Sequence, residues 1–194
     1  GAVAWTLNLG GGALMLGFIG GLVLGMVNAF SKTVKPALAI AYAAFQGLAL
    51  GTLSQLYNTV YDGIVSQAIL VTISAFAGML FAYKSGRIRV TPKFTKVLTT
   101  ALIGYLVLAL VSFVAFLFTG SSVYNVGGLG LIIATGGMVL AAFFLILDFD
   151  SIQNGIAAGA PESESWRAAF GLMVTIIWLY MEVLRVLSIL RGND

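Results

Sequence analysis

Roughly six apolar stretches, each about 20 residues long, follow one another along this chain with only short loops between them. An α-helix needs about 20 apolar residues to cross the hydrocarbon core of a bilayer. Backbone polar groups cannot reach water there, so a spanning segment of this kind has to be helical. The pattern therefore predicts an all-α, polytopic membrane helix bundle that forms a single transmembrane domain over residues 1–194.

The predicted spans cover about residues 11–30, 36–56, 63–83, 97–118, 127–147 and 169–190. Residues 1–7 are interpreted as the tail of a further helix, because three consecutive glycines at 10–12 favour a turn after it. The chain begins without methionine and without a basic segment before its first apolar run. We therefore expect six complete spans and a truncated first helix.

The scarcity of charged residues excludes several classes of protein. Charged residues make up 9% of the chain, whereas soluble domains carry about 25%. The chain has no cysteine and no histidine. Disulfides, thiolate or imidazole zinc sites, His- or Cys-ligated haem and Cys or His catalysis are thus excluded. No phosphate-binding or dinucleotide motif is present. The sequence predicts neither an enzyme nor a resident cofactor, and nucleic acid is not an expected partner.

Lysine and arginine are concentrated in alternate loops, and the intervening turns contain none. The basic positions are Lys32, Lys35, Lys84, Arg87, Arg89, Lys93, Lys96 and Arg167. The positive-inside rule places these loops in the cytosol. The short loops and the Gly/Ala-rich composition favour a bacterial plasma membrane, with the lipid bilayer as the surrounding partner.

Glycine recurs at every fourth position in two of the predicted spans. Gly17, Gly21 and Gly25 share one helix face, and Gly47 and Gly51 share another. Small residues four apart allow helix backbones to approach closely in lipid. We expect tight helix packing at these faces; the alternative is a hinge or a pore-lining face.

Glu182 lies about 20 Å into the last apolar stretch, which only this residue and Arg185 interrupt. An ionisable group at the centre of a membrane helix costs about 2.5–3.5 kcal/mol on insertion scales. One interpretation is an internal ion pair with Arg185, three residues further along the same helix face. The alternative is that Glu182 faces Asp148 across a helix–helix contact.

Asp148 and Asp150 follow the preceding apolar stretch, so they are expected at the C-terminal end of a helix. The helix dipole disfavours carboxylates at that end. We expect Asp150 to be solvated at the interface and Asp148 to be the better candidate for a buried role. Two carboxylates in a low dielectric share a proton or recruit a cation. Asp148 and Glu182 together are therefore a candidate calcium site, since Ca²⁺ prefers hard oxygen ligands.

Three segments carry a family resemblance. Residues 147–152 (LDFDSI) and 178–187 (WLYMEVLRVL) resemble the last two helices of the Bax inhibitor family, the transmembrane Bax-inhibitor-motif proteins. Residues 37–57 are similar to that family's third helix. The resemblance implies a seven-helix fold in which six helices surround an acidic last helix. It also implies a pH-dependent calcium leak, with calcium and protons as the partners.

The resemblance further implies a pH sensor made of two acids, which by motif position are Asp148 and Glu182. The last helix here has glutamate where aspartate is common. Lys32 is the nearest candidate for the basic latch that relatives use, and Asp150 and Arg185 are possible supporting residues. On this interpretation, Asp148 and Glu182 would both respond to pH and attract cations.

The leading functional prediction is a pH-regulated cation channel that conducts calcium. Asp148 and Glu182 would be hydrogen-bonded when it is closed, and deprotonation would separate the last helices. Three alternatives stay open: an intramembrane hydrolase that uses the two carboxylates as acid and base, a proton-coupled cation exchanger, and a regulatory scaffold. Against the hydrolase, the chain has no Gly-x-Gly-Asp motif.

Overall fold

The computed structural model describes residues 2–6, 10–31, 33–120 and 128–192, and every regular element in these ranges is an α-helix. The helices in chain order are α1 (Ala2–Thr6), α2 (Gly10–Phe30), α3 (Pro36–Val60), α4 (Ile64–Lys84), α5 (Pro92–Thr119), α6 (Leu129–Ala157) and α7 (Ser163–Gly192). Within the described ranges, six of them, α2 to α7, are long and apolar enough to cross a membrane. The predicted all-α, polytopic fold class is confirmed.

Local sequence signals set the ends of α5. Thr91 precedes the helix in an extended conformation, and its side chain accepts a hydrogen bond from the Phe94 amide at 3.2 Å. Pro92 occupies the first turn, where its missing N–H costs nothing. Gly120 ends the helix with a left-handed φ of 66°. The helix therefore begins and ends where capping chemistry predicts.

α6 is longer than predicted. The expected helix end near residue 147 is wrong, because α6 continues through both aspartates to Ala157. Residues 151–157 contain no proline to stop the helix, and the next residue with a left-handed φ is Gly159, at 64°. Asp148 and Asp150 consequently lie inside a helix and not at its C-terminal end.

The chain divides into two compact units. The first contains Gly1–Ser66 and Ser151–Ile177, and the second contains Gln67–Asp150 and Trp178–Asp194. The core of the first unit includes Val34, Ala39, Tyr42 and Phe170, with the last two rings packed edge to face at 5.0 Å. The single domain expected from the sequence stays a prediction, as do the cytosolic basic loops and the bacterial membrane.

In the first unit, the glycine face of α2 packs against α3. A Cβ atom added at Gly17 would lie 2.5 Å from the backbone nitrogen of Ala49. One added at Gly21 would lie 2.7 Å from the Gln46 side chain. At Gly17 the close atoms are backbone, so glycine is required for this contact, whereas at Gly21 they belong to the end of a flexible side chain. The structure supports the packing interpretation of this repeat.

We expect Gly17→Ala to destabilise the first unit. The added methyl group meets backbone, which cannot move aside, and overpacking of this kind costs about 1–3 kcal/mol of unfolding free energy. Gly12→Ala is the matched control in the same helix, because its Cβ would meet nothing within 4 Å. Thermal unfolding followed by circular dichroism in detergent should show a lower Tm for Gly17→Ala alone. Equal Tm values for both variants would contradict the packing argument.

Candidate functional site

Glu182 lies in the second half of α7 and is only 3% exposed. Among the described residues, three side chains hydrogen-bond to its carboxylate. The Tyr105 hydroxyl donates to Oε1, and the Trp178 indole Nε1 donates to the same oxygen at 3.2 Å. Arg185 Nη1 lies 3.2 Å from Oε2 and forms an ion pair with it. We call these four residues the Glu182 cluster, and all of them belong to the second unit.

Helix geometry explains how the cluster is assembled. Trp178 precedes Glu182 by four residues and Arg185 follows it by three, so α7 presents all three on one face. Tyr105 comes from α5 and is the member that joins a second helix to α7. Its ring also packs against the Trp178 ring, with centroids 5.5 Å apart. The Phe144 ring of α6 packs against Trp178 as well, with centroids 5.9 Å apart.

Every partner of Glu182 in the cluster is a hydrogen-bond donor. Arginine and the indole N–H can only donate. The Tyr105 hydroxyl has a single proton and also lies 3.4 Å from Arg185 Nη1, from which it accepts. Its own proton is therefore directed to Glu182. An ionised carboxylate satisfies all of these donors at once, whereas a protonated one would lose the charge that pairs with Arg185.

Next to the Tyr105–Glu182 hydrogen bond, α6 has a glycine, Gly137, and therefore no side chain. Gly137 is buried, and a Cβ atom added there would lie 2.9 Å from the Tyr105 hydroxyl oxygen. The same atom would lie 3.0 Å from Cδ of Glu182. The hydrogen bond between α5 and α7 therefore forms in a gap that the glycine of α6 leaves open.

The structure contains the ion pair between Glu182 and Arg185 that the sequence allowed. Among the described residues, Asp148 is not a hydrogen-bonding partner of the Glu182 carboxylate. The Asp148 Oδ2 atom is buried, and this side chain has interactions of its own. The role of Asp148 and Glu182 as a sensor pair stays a prediction, and the side chain that links Glu182 to a second helix in the structure is Tyr105.

The three residues predicted to support the acidic pair are Asp150, Arg185 and Lys32. Asp150 is partly exposed and accepts a hydrogen bond from the Tyr83 hydroxyl of α4 at 3.1 Å, so it is anchored and not simply solvated as expected. Arg185 belongs to the Glu182 cluster. Lys32, the predicted basic latch, lies outside the described residues.

The residues around Glu182 do not suit a bound calcium ion. A calcium site needs six to eight oxygen ligands, and the carboxylate here faces a guanidinium and two neutral donors. Nowhere in the described ranges do three or more acidic side chains gather as a metal site. The calcium site predicted at Asp148 and Glu182 gains no support from this geometry and stays a prediction.

Three residues of the site, Trp178, Tyr105 and Gly137, were not predicted from the sequence. Trp178 could have been found, because it precedes Glu182 by one helical turn. Tyr105 and Gly137 carry no local signal, since their importance depends on which helices pack together.

The chain was compared with family models, curated proteins and solved structures. A family model described as Bax inhibitor 1 like matches residues 1–192, which is almost the whole chain. No curated protein and no solved structure matches it.

Proposed function

Because the chain belongs to the Bax inhibitor 1 like family of membrane proteins, we propose that it is a pH-regulated cation leak channel with calcium as the expected permeant ion. The observation that carries the proposal is the Glu182 cluster. A carboxylate that is 3% exposed inside a spanning helix is held by donors from two helices. An intramembrane group of this kind is a functional-site hypothesis by default.

In the proposed closed state, ionised Glu182 joins α5 to α7 through Tyr105 and is neutralised by Arg185. Among the described residues, Tyr105 and Arg185 are the titratable groups that hydrogen-bond to Glu182. The residue of α6 that lies next to the Glu182 carboxylate is Gly137, which has no side chain. Protonation of Glu182 removes the ion pair and weakens the charge-assisted hydrogen bonds. The two helices then separate more easily, and the leak increases as the pH falls.

This direction is opposite to the one that the sequence suggested. If Asp148 and Glu182 shared a proton in the closed state, raising the pH would break their link and open the channel. Because three donors contact the Glu182 carboxylate, the proposed closed state is the deprotonated one. The sign of the pH response therefore distinguishes the two versions of the gate.

The function is tested by reconstituting the purified protein into liposomes loaded with a calcium-sensitive dye. We expect calcium flux that rises as the pH on both sides is lowered together. Flux that requires a proton gradient and vanishes at equal pH would indicate an exchanger. Absence of flux at every pH would contradict the proposed channel and favour a scaffold.

The hydrolase alternative receives no support from the site. Acid–base catalysis by two carboxylates requires both to act on one substrate or water. Glu182 is instead engaged by Tyr105, Trp178 and Arg185, and Asp148 is not its partner among the described residues. The arrangement favours a structural latch.

Tyr105→Phe is expected to raise the leak at neutral pH about tenfold, because it removes the hydrogen bond that joins α5 to Glu182. Hydrogen bonds to charged groups are worth about 1.5–3 kcal/mol, and 1.4 kcal/mol corresponds to tenfold. Tyr83→Phe is the matched control, since it removes another tyrosine–carboxylate hydrogen bond, with Asp150. Liposome flux at fixed pH measures both. An equal response of the two variants would contradict a specific role for Tyr105.

A further inference from the structure

A groove runs between α5 and α6 within the second unit. It has a volume of about 400 Å³ and is almost entirely apolar. The residues that matter for its shape are Leu98, Gly104, Tyr105, Gly136, Leu140 and Phe143.

Two glycines keep this groove open. Leu98 and Leu140, which line the groove, are buried, at 7% and 8% exposed. Gly104 on α5 and Gly136 on α6 stand on its two walls, and a Cβ atom on either would meet nothing within 4 Å. The groove is thus a space that any larger side chain at these positions would fill.

The position of the groove decides what can enter it. Both of its helices are membrane-spanning segments, so the surrounding medium is lipid hydrocarbon. From Leu98 to Leu108 it follows α5 for about 15 Å, at 1.5 Å per residue. An elongated, open, apolar groove of this length matches a stretch of extended acyl chain.

Positive charge lies at one end of the groove. Lys93 precedes Gly104 by eleven residues, close to three helical turns, so it lies on the groove face of α5. Four further basic residues lie near the start of α5: Lys84 at the end of α4, Arg87 and Arg89 in the connecting segment, and Lys96 in the first turns of α5. Within the described part of the chain, none of the five forms an ion pair with an acidic side chain. Their charge is available to an anionic headgroup.

We propose that this groove binds one acyl chain of an anionic phospholipid, with its phosphate against Lys93 and the neighbouring basic residues. The shape of the groove holds the chain by van der Waals contact, and the lysine provides the preference for a negative headgroup. The ring of Tyr105 lines the groove while its hydroxyl holds Glu182, so the lipid and the Glu182 cluster share one side chain. Binding itself does not depend on the proposed channel function.

Native mass spectrometry of the purified protein titrated with phosphatidylglycerol or phosphatidylcholine tests the proposal. We expect one phosphatidylglycerol molecule to bind saturably and more tightly than phosphatidylcholine. Gly136→Leu should weaken this binding at least about tenfold, because the new side chain fills the groove. Lys93→Gln should reduce the preference for phosphatidylglycerol about fivefold.

Gly78→Leu is the matched control, because Gly78 lies in α4, outside the groove, and its Cβ would also meet nothing within 4 Å. It should bind the lipid like the original chain. Gly104→Leu, on the opposite wall, replaces Gly136→Leu if that variant fails to fold. Equal lipid binding by the groove-filled variants and the control would overturn the proposal. So would dimerisation that Gly136→Leu abolishes in the absence of lipid, because the groove would then hold a second copy of the chain.

Discussion

Glu182→Gln is expected to leak calcium at neutral pH about tenfold to a hundredfold faster than the original chain and to lose most of its response to acid. Glutamine keeps the size of the side chain but carries no charge to pair with Arg185. Its amide N–H₂ would also face donors where the carboxylate accepts. The loss of charge-assisted hydrogen bonds, worth about 1.5–3 kcal/mol, sets the size of the effect. Flux into dye-loaded liposomes across a pH series measures it.

Glu164→Gln is the matched control. Glu164 and Arg167 also form an ion pair three residues apart on α7, at 2.9 Å, but both side chains are 38% exposed. Exposed ion pairs are worth only about 0–1 kcal/mol, so this variant should keep the original pH response. A Glu182→Gln variant that behaves like Glu164→Gln would show that the buried cluster does not control the leak.

Gly137→Ala is expected to raise the leak at neutral pH about tenfold, as much as Tyr105→Phe does. The new methyl group would lie 2.9 Å from the Tyr105 hydroxyl oxygen and 3.0 Å from Cδ of Glu182. Both atoms belong to the ends of side chains, so the side chains will move and their hydrogen bond will open. Overpacking costs about 1–3 kcal/mol, which is enough to produce this change.

Gly78→Ala adds the same methyl group to α4, another membrane-spanning helix, where nothing lies within 4 Å. It should leave the leak unchanged at every pH. Combining Gly137→Ala with Tyr105→Phe gives a further check, because both act on the same hydrogen bond. Their effects on the leak should be less than additive. Fully additive effects would mean that Gly137 acts elsewhere.

The fold class was predictable because the bilayer restricts what an apolar stretch can become. The ends of the helices were less predictable, since hydropathy marks the membrane boundary and not the last hydrogen-bonded turn. α6 illustrates the difference, because it continues past Asp148 and Asp150 into polar residues before ending at Ala157. Nothing in residues 151–157 stops a helix.

The site was predictable only in part. Glu182 and Arg185 were evident because charges are rare inside a spanning segment and because their spacing places them on one face. Tyr105 was not, because tyrosine is unremarkable in a membrane helix and its partner is 77 residues away. Gly137 was not evident either, because it matters by having no side chain beside Tyr105 and Glu182, and the sequence does not show that these residues meet. Both depend on the packing of helices, which local sequence patterns do not specify.

The protonation of Glu182 can be followed directly by infrared difference spectroscopy of the reconstituted protein across a pH series. The Glu182 cluster predicts a carbonyl band of a protonated carboxyl group that grows as the pH falls. That band should be missing from Glu182→Gln and should follow the same pH interval as the calcium leak. A leak that responds to pH while this band stays constant would contradict the proposed gate. A band that persists in Glu182→Gln and vanishes in Asp148→Asn would contradict it equally.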